Sequence, residues 1–274
     1  NKISNKRFVS TTLVFLVLLI VSGSIFLIKD YHNQKYKTIK ISKPTVILSM
    51  TNTNSDTFAI YRMIKDFDFN VVAFTNASLI GDEEESVLTI SELEQMKNLG
   101  CTFEDGEYIN QNPYLRLDIV QTENRMKTKE FFKEHGLAEP VAYAPPFGSH
   151  NSTIKYRSMH DYSFIQVNET DAKPQPIKTI TYPSSLNIQA RQLFWENVDE
   201  KKELLNYVEK AKKENALIVL NINTRAFTLD QIREVLKLLD DNGFESITYK
   251  DLAEQAKLSP EDYSFKNYVE NTYV

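Results

Sequence analysis

The sequence predicts an α/β fold in which parallel strands close into a (β/α) barrel, distorted and seven-stranded, preceded by one N-terminal transmembrane helix. Between residues 44 and 258, short apolar runs alternate with amphipathic helical patterns, an order typical of parallel strands joined by helices. About seven or eight such units in roughly 220 residues fit a closed or nearly closed barrel at least as well as an open sheet. Glycines that can stop a helix in a left-handed turn stand where three helical patterns end: Gly100, Gly136 and Gly243.

The first element is an apolar segment at residues 8–28, FVSTTLVFLVLLIVSGSIFLI, which contains no charge. Its 21 residues match the length that a helix needs to cross about 30 Å of hydrocarbon. Basic residues stand on both sides of it: Lys2, Lys6, Arg7 and Lys29. The pattern is typical of a signal peptide or an uncleaved signal anchor, and the apolar run continues beyond the small residues at 21–23, which favours the anchor. We therefore predict a cytoplasmic N-terminus over residues 1–7 and a transmembrane helix over residues 8–28.

A polar, lysine-rich stretch over residues 29–43 has no hydrophobic period, which indicates a loose juxtamembrane spacer. The folded body begins near Pro44 with the apolar run TVILSM, which predicts a strand. In the first half of the body, apolar runs predict strands at 45–50, 70–75 and 141–144, and helical periodicity predicts helices at 56–66, 90–99, 114–134 and near residue 153.

In the second half of the body, the same signals predict strands at 163–167, 177–182, 217–222 and 245–249, with helices at 199–214 and 229–241. No internal repeat is visible in the sequence. We therefore expect residues 44–258 to form one domain and residues 259–274 to form a C-terminal tail.

Composition and motifs exclude several classes of function. The net charge is −5, and the 25% of residues that are charged are interspersed by sign, so no basic stripe indicates a nucleic-acid partner. The single cysteine, Cys101, has no partner for an internal disulfide or a cysteine-based metal site. The sequence contains no glycine-rich phosphate loop, Gly-x-Ser-x-Gly elbow or nucleophilic cysteine constellation.

Four segments, in the same order, resemble the polysaccharide deacetylase family, also called the NodB-homology family or carbohydrate esterase family 4. They are VILSM with its following turn, LTISELEQMKNLG at 88–100, APPFGSHN at 144–151, and the closing stretch from NALIVLN to ITYKDLA. The resemblance extends from about Thr45 to Ala253. It implies a barrel whose chemistry lies on the loops at the carboxyl ends of the strands, in a body that is extracytoplasmic and faces glycan.

The resemblance also implies a divalent metal held by one Asp and two His, with a second Asp as base and a late His as acid. The sequence departs from the family at each functional position. Thr51 stands at the position of the base, and Asn52 stands at that of the metal-binding Asp. Gly106 and Asn110 stand at the positions of the two metal-binding His. Ala144 stands at the position of the orienting Arg, and Asn221 stands at that of the acid. The histidines of the chain form no alternative pair with the required spacing: His32, His135, His150 and His160. We therefore predict no metal, no cofactor and no catalytic residue.

These replacements predict a groove that has lost its formal charges but keeps short hydrogen-bonding side chains. Neutral amides and hydroxyls near aromatic rings suit the hydroxyl and acetamide groups of sugars. The predicted glycan-binding residues are Thr51, Asn52, Tyr108, Asn110, Phe147 and Asn221.

Three carboxylates, Glu104, Asp105 and Glu107, lie in the segment where the metal-binding histidines would stand. We interpret them as part of a solvated acidic loop. Paired carboxylates can also cleave glycosides without a metal when one stays protonated and the other ionised. A metal-independent glycan hydrolase is therefore an alternative.

Together these features favour a membrane-anchored, non-catalytic polysaccharide deacetylase homologue that acts as a binding or assembly module in cell-envelope or exopolysaccharide metabolism. We expect a single-pass protein of the cell membrane with an extracytoplasmic body, and a glycan and a membrane protein as partners. The charges that flank the apolar segment do not decide its orientation, because more lysines follow it in the spacer. A further alternative is a structural subunit of a membrane complex with a synthase or a transporter.

Overall fold

The computed structural model describes residues 37–51, 56–81, 88–109, 118–146, 158, 161–168, 173–182, 187–193, 195–223 and 228–257. Several predicted features lie outside these residues: the transmembrane helix at 8–28, the tail at 259–274, the helix near residue 153, and the groove residues Asn52, Asn110 and Phe147. Inside the described ranges, none of the helices has both the length and the apolar character that a membrane crossing requires.

The strands are β1 (Lys37–Lys40), β2 (Thr45–Thr51), β3 (Val71–Thr75), β4 (Thr102–Asp105), β5 (Ala142–Tyr143), β6 (Phe164–Asn168), β7 (Thr179–Tyr182), β8 (Asn187–Gln192), β9 (Leu217–Asn223) and β10 (Glu245–Ser246). The helices are α1 (Thr57–Lys65), α2 (Ile90–Asn98), α3 (Asp118–Glu134), α4 (Val198–Glu214), α5 (Leu229–Asp241) and α6 (Tyr249–Gln255). A short 3₁₀ turn spans Ala77–Leu79.

Seven parallel strands form a closed barrel in the order β2, β3, β4, β5, β6, β8 and β9. The barrel closes because β9 pairs with β2 along its whole length, from Thr45 opposite Leu217 to Thr51 opposite Asn223. β10 adds a short parallel pairing to β2 at Glu245. This arrangement confirms the predicted (β/α) barrel with seven strands.

Successive side chains point to opposite sides of a strand, and nearly all those of β2, β3 and β9 are buried, so both faces of these barrel strands are covered. On β2, Leu48 lies in the outer apolar layer together with Leu236 of helix α5, whereas Ile47 lies in the inner layer together with Phe164. Helix α6 contributes Tyr249 to the inner layer. This burial on two sides explains why the run TVILSM shows no alternation with polar residues.

The strand predicted at 177–182 is not a barrel strand. Residues Thr179–Tyr182 of it form β7, which pairs antiparallel with β1 beside the barrel, from Lys37 opposite Tyr182 to Lys40 opposite Thr179. β1 lies inside the stretch that was predicted to be a loose spacer, so that prediction was wrong for residues 37–40. One buried residue, Ile39, between polar neighbours leaves too weak a pattern to indicate a strand.

The sequence prediction missed two barrel strands: β4, whose residues were assigned to a loop, and β8, with the sequence NIQARQ. Ile188 and Ala190 lie in the inner apolar layer. The remaining side chains are polar, so β8 contains no apolar run that would have indicated a strand.

The last predicted strand, at 245–249, is shorter than expected because helix α6 begins inside it. Thr248 Oγ1 accepts a hydrogen bond from the backbone N–H of Asp251 at 3.1 Å, and the Asp251 carboxylate accepts one from the Thr248 N–H at 2.7 Å. This reciprocal pair is a capping box, which favours the start of a helix. The strand therefore ends at Ser246.

Candidate functional site

The carboxyl ends of β2 and β9 carry the side chains that stand at the base and acid positions implied by the resemblance. Thr51 is the last residue of β2, and Asn221 lies near the end of β9. Ser49 lies directly opposite Asn221 in the strand register. Side chains two residues apart on a strand face the same side, so Ser49 and Thr51 both reach the Asn221 amide.

The Asn221 amide is the centre of a buried network of neutral side chains. Its Oδ1 accepts hydrogen bonds from Ser49 Oγ at 3.1 Å and from Gln166 Nε2 at 3.3 Å. Its Nδ2 donates to Thr51 Oγ1 at 3.0 Å and to Gln192 Oε1 at 3.1 Å. An amide offers two acceptor positions and two N–H donors. These contacts therefore use the full hydrogen-bonding capacity of Asn221, which is completely buried.

Gln166 extends this network towards helix α6. Its Oε1 accepts a hydrogen bond from the Tyr249 hydroxyl at 2.9 Å, and the Tyr249 ring packs against Phe74 and Phe164. Burial raises the pKa of Tyr249 well above its ordinary value because it penalises the phenolate. The hydroxyl therefore stays a donor at neutral pH, and the network from α6 to the strand ends carries no charge.

The structure places the described groove residues in two different environments. Thr51 and Asn221 are joined by a direct hydrogen bond, but Asn221 contacts only its protein partners and cannot face a ligand. Tyr108 instead lies under the Lys127 ammonium of helix α3, which is 5.6 Å from the ring centroid. Thr51 and Gln192 are half-buried at the carboxyl-end opening of the barrel, which we call the barrel mouth.

Sequence reasoning missed Ser49, Gln166 and Gln192 as members of the network. Gln166 interrupts the apolar run SFIQV, and a polar residue inside an apolar strand is a signal that could have identified it, because buried polar groups need partners. Gln192 offered no such signal, because β8 was not recognised as a strand.

The carboxylates Glu104, Asp105 and Glu107 do not form a solvated loop, and that prediction was wrong. They are 1%, 0% and 3% exposed, respectively. Glu104 and Asp105 are the last residues of barrel strand β4, so neighbouring strands flank them. Their partners come from segments distant in the sequence.

Glu104 binds the start of the neighbouring strand β5. Its Oε2 accepts hydrogen bonds from the backbone N–H groups of Val141 at 2.7 Å and Ala142 at 2.8 Å. Burial raises the pKa of Glu104 to about 8, because the loss of water outweighs the stabilisation of the carboxylate by these two donors. Glu104 therefore keeps its proton up to neutral pH.

Asp105 links β4 to helix α3 and to the start of β6. Its Oδ1 accepts hydrogen bonds from the Glu107 N–H at 2.6 Å and from Thr128 Oγ1 of α3 at 3.3 Å. Its Oδ2 accepts a hydrogen bond from the Tyr162 hydroxyl. Burial raises the pKa of Asp105 to about 7.

Glu107, two residues after Asp105, also binds a tyrosine and helix α3 through its carboxylate. Its Oε2 accepts a hydrogen bond from the Tyr143 hydroxyl at 2.5 Å, and its Oε1 accepts one from Asn124 Nδ2 of α3 at 3.4 Å. The rings of Tyr143 and Tyr162 stack with centroids 5.3 Å apart. The two carboxylates and two tyrosines thus form one buried cluster against helix α3.

Of the positions where the resemblance implies a metal ligand, Gly106 is the one within the described residues, and it has no side chain that could bind a metal. Gly106 stands for a metal-binding His, and a Cβ atom there would lie 3.0 Å from the backbone carbon of Phe74 and 3.0 Å from the backbone oxygen of Thr75. Thr51 supplies a hydroxyl group instead of a base. Asn221 supplies an amide instead of an acid, and the hydrogen-bonding positions of this amide are all occupied by groups of the protein. Across the part of the chain that the structure describes, no group of three His, Cys, Asp or Glu could hold a metal ion. The remaining ligand positions lie outside it.

No protein-family model matches the sequence, and no curated protein matches it. Solved structures do match. A family 4 carbohydrate esterase from Bacillus anthracis is 15% identical with a TM-score of 0.54, and the match covers 84% of this chain and 92% of that one. A family 4 carbohydrate esterase from Streptomyces lividans is 12% identical with a TM-score of 0.52, and the match covers 80% of this chain and 94% of that one. A peptidoglycan deacetylase from Bacillus subtilis is 13% identical with a TM-score of 0.52, and the match covers 86% of this chain and 100% of that one.

Identities in this range support an inference about the fold alone. Each match extends over at least 80% of this chain. The matching structures carry the same fold family that the four sequence segments resemble. The chain therefore has the fold of the family 4 carbohydrate esterases, the polysaccharide deacetylases.

Proposed function

We propose that this chain is a non-catalytic polysaccharide deacetylase-like protein that binds a glycan at the barrel mouth. The observation that carries the proposal is the neutral network around Asn221. Deacetylation, as the resemblance implies it, needs a base and an acid that exchange protons near neutral pH. Thr51 and Asn221 stand at those positions, and neither a hydroxyl nor an amide exchanges a proton in that range.

The groups at the barrel mouth suit an uncharged sugar. Among the described residues, the hydroxyl hydrogen of Thr51 and the Nε2 amide of Gln192 have no hydrogen-bond partner. Both side chains are held from the interior by Asn221, so their orientation is set before a ligand binds. Hydroxyl and acetamide oxygens of a glycan are suitable acceptors for these donors.

We further propose that residues 8–28 anchor the protein in the cell membrane and that its body lies outside the cytoplasm. There it would act as a binding or assembly module in cell-envelope or exopolysaccharide metabolism. The length of the uncharged apolar run, 21 residues, supports the anchor. The fold neighbours support the setting, because one of them is a peptidoglycan deacetylase.

The alternative of a metal-independent hydrolase gains no support from the described carboxylates. Glu104, Asp105 and Glu107 are buried, and each accepts hydrogen bonds from groups within the protein. None of them is presented to a substrate. The other alternative, a structural subunit of a membrane complex, would be favoured if a membrane protein co-purified stoichiometrically with the chain in detergent.

The test is a calorimetric titration of the full chain in detergent with acetylated and deacetylated glucosamine oligomers. We expect saturable binding of the acetylated oligomers at millimolar concentrations. The Thr51→Val substitution keeps the shape of the side chain but removes its hydroxyl, so it should weaken binding by about tenfold, the equivalent of one hydrogen bond.

The matched control is Thr179→Val, at an exposed position of β7, which should bind like the parent chain. The proposal would be contradicted if no saturable response occurred at millimolar ligand, or if the Thr51→Val variant bound as well as the parent.

A further inference from the structure

The hydrogen bonds that lead from helix α6 to the barrel mouth all run in one direction. The Tyr249 hydroxyl donates to Gln166 Oε1 at 2.9 Å, and Gln166 Nε2 donates to Asn221 Oδ1 at 3.3 Å. Asn221 Nδ2 then donates to Gln192 Oε1 at 3.1 Å. An amide whose oxygen accepts on one side keeps its N–H groups for the other side. The Nε2 group of Gln192 is therefore the end of this series, and it belongs to a half-buried side chain at the mouth.

Tyr249 fixes this direction, because the three amides could also pair the other way round. If Gln166, Asn221 and Gln192 all turned over, each oxygen would take the place of a nitrogen and the amides would still bind one another. The two hydroxyls bound to Asn221 fit either arrangement, since a hydroxyl both donates and accepts. The hydrogen of the Tyr249 hydroxyl would face Gln166 Nε2, and the described residues offer it no other acceptor. A buried donor without a partner costs free energy, so Tyr249 selects the observed direction.

The direction matters at Gln192 because its two ends bind different ligand groups. Its Nε2 donates to an acceptor such as the carbonyl oxygen of an acetamide, whereas an ammonium group has donors only and would meet it donor to donor. Thr51 does not discriminate in this way. After accepting from Asn221, its hydroxyl still has a hydrogen and a lone pair.

We infer that Tyr249 sets the hydrogen-bonding polarity of the barrel mouth from inside the barrel, and that Gln192 expresses this polarity towards the ligand. Tyr249 is thus a positioning residue and Gln192 a specificity-determining one. The inference rests on the proposed glycan site and adds what decides the choice between ligand groups. The net charge of the chain is −5, which attracts a cationic oligomer at long range, so a preference for the neutral acetylated form would have to come from the mouth.

The first test measures selectivity as the ratio of the dissociation constants for deacetylated and acetylated glucosamine oligomers of equal length. The full chain in detergent is titrated at about pH 6, where the amino groups are protonated. We expect the acetylated oligomer to bind about tenfold tighter. Gln192→Glu still accepts from Asn221 but presents an oxygen at the mouth, so it should prefer the deacetylated oligomer. Gln189→Glu, at an exposed position of the same strand, adds the same charge and should keep the parent's preference.

The second test removes the group that sets the direction. Tyr249→Phe leaves the Gln166 amide without this partner in either arrangement, so the selectivity should fall from about tenfold to about twofold or less while both oligomers still bind. Tyr61→Phe is the matched control, because Tyr61 is also completely buried but lies in the outer apolar layer. It should keep the parent's selectivity. A loss of stability alone changes both dissociation constants together, so the ratio separates positioning from a structural role.

The direction of the amides can also be measured without a ligand, by nuclear Overhauser contacts in the parent chain. The Nδ2 protons of Asn221 should show contacts with the side chain of Thr51, to which they donate. In the reversed arrangement they would show contacts with Ser49 instead, which now donates to Oδ1.

The possible failures point to different proposals. If the parent bound neither oligomer, the glycan site would be contradicted and the inference with it. If the parent bound both oligomers equally, the inference alone would be overturned. The same holds if Gln192→Glu kept the parent's preference or Tyr249→Phe kept its full selectivity. Should Tyr249→Phe fail to fold, contacts of the Asn221 Nδ2 protons with Ser49 rather than Thr51 would overturn the inference, and the reverse would support it.

Discussion

Asn221 connects four side chains that come from three different strands. These partners are Ser49 and Thr51 of β2, Gln166 of β6 and Gln192 of β8. Asn221→Leu removes their shared partner, and each buried polar group left without a hydrogen bond costs about 1–3 kcal/mol. We expect the variant to lose about 2–5 kcal/mol of unfolding free energy, measured by urea denaturation.

The control for this prediction is Asn206→Leu, at an exposed position of helix α4. It should change the unfolding free energy by less than about 0.5 kcal/mol, as surface substitutions usually do. Equal losses in the two variants would show that the Asn221 network adds nothing to stability.

Glu104 and Asp105 make the stability of the fold depend on pH. Burial raises their pKa values to about 8 and about 7 in the folded chain, whereas both groups titrate near pH ~4 in an unfolded chain. Between these limits the folded state keeps protons that the unfolded state releases. The contribution of these groups to stability is therefore complete below about pH 4 and is lost as the pH rises towards about 8, by up to ~1.4 kcal/mol per pH unit for each group.

Glu104→Gln imitates the protonated carboxyl, so it should make this loss of stability with rising pH shallower. Urea denaturation of parent and variant at several values from pH 5 to pH 8 measures the slope. Glu209→Gln, at an exposed position of α4, should keep the parent's slope. The assignment fails if Glu104→Gln keeps that slope too.

At the scale of elements, helix α6 links a local cap to the barrel interior. Thr248 caps the helix through its hydroxyl, and the next residue, Tyr249, binds Gln166 inside the barrel. Thr248→Ala removes the cap and should cost about 1 kcal/mol of unfolding free energy. Amide hydrogen exchange should be faster at residues 249–255, whereas Thr179→Ala should leave it unchanged. Unaltered exchange in the Thr248→Ala variant would contradict a role for this cap.

Helix α3 shows which properties of an element its own sequence can predict. Its periodicity predicted a helix over 114–134, and the structure describes it as Asp118–Glu134. The helix turns buried polar residues towards the barrel, among them Asn124 and Thr128. The partners of that face are the carboxylates of the turn after β4, and no pattern within the helix could identify them.

At the scale of the whole molecule, the proposed anchor makes a prediction about topology. Residues 8–28 should retain the chain in the membrane, with the body outside the cytoplasm, because the run is long enough to span the hydrocarbon as a helix. Protease added to intact cells should therefore degrade the body, while a cytoplasmic marker protein stays intact. Protection of the body, or a mature chain that begins near Ser24, would contradict this prediction.

The sequence by itself determined the α/β class, the barrel and most of its helices. Helix α5, for example, has the predicted bounds, Leu229–Asp241. Such predictions succeed because periodicity is a local property, which a few neighbouring residues express without reference to the rest of the chain. The sequence alone likewise shows a threonine at position 51 and an asparagine at position 221, which excludes a base and an acid there.

Only the tertiary structure decided which polar residues are buried and what they bind. Glu104 accepts a hydrogen bond from a backbone N–H 38 residues away in the sequence, and Asp105 accepts one from Tyr162, 57 residues away. Ser49 donates a hydrogen bond to Asn221, which is 172 residues away. The same closure of the barrel made β8 a strand and brought position 106 close to the backbone of β3. These features arise from contacts between distant segments, so no local pattern in the sequence records them.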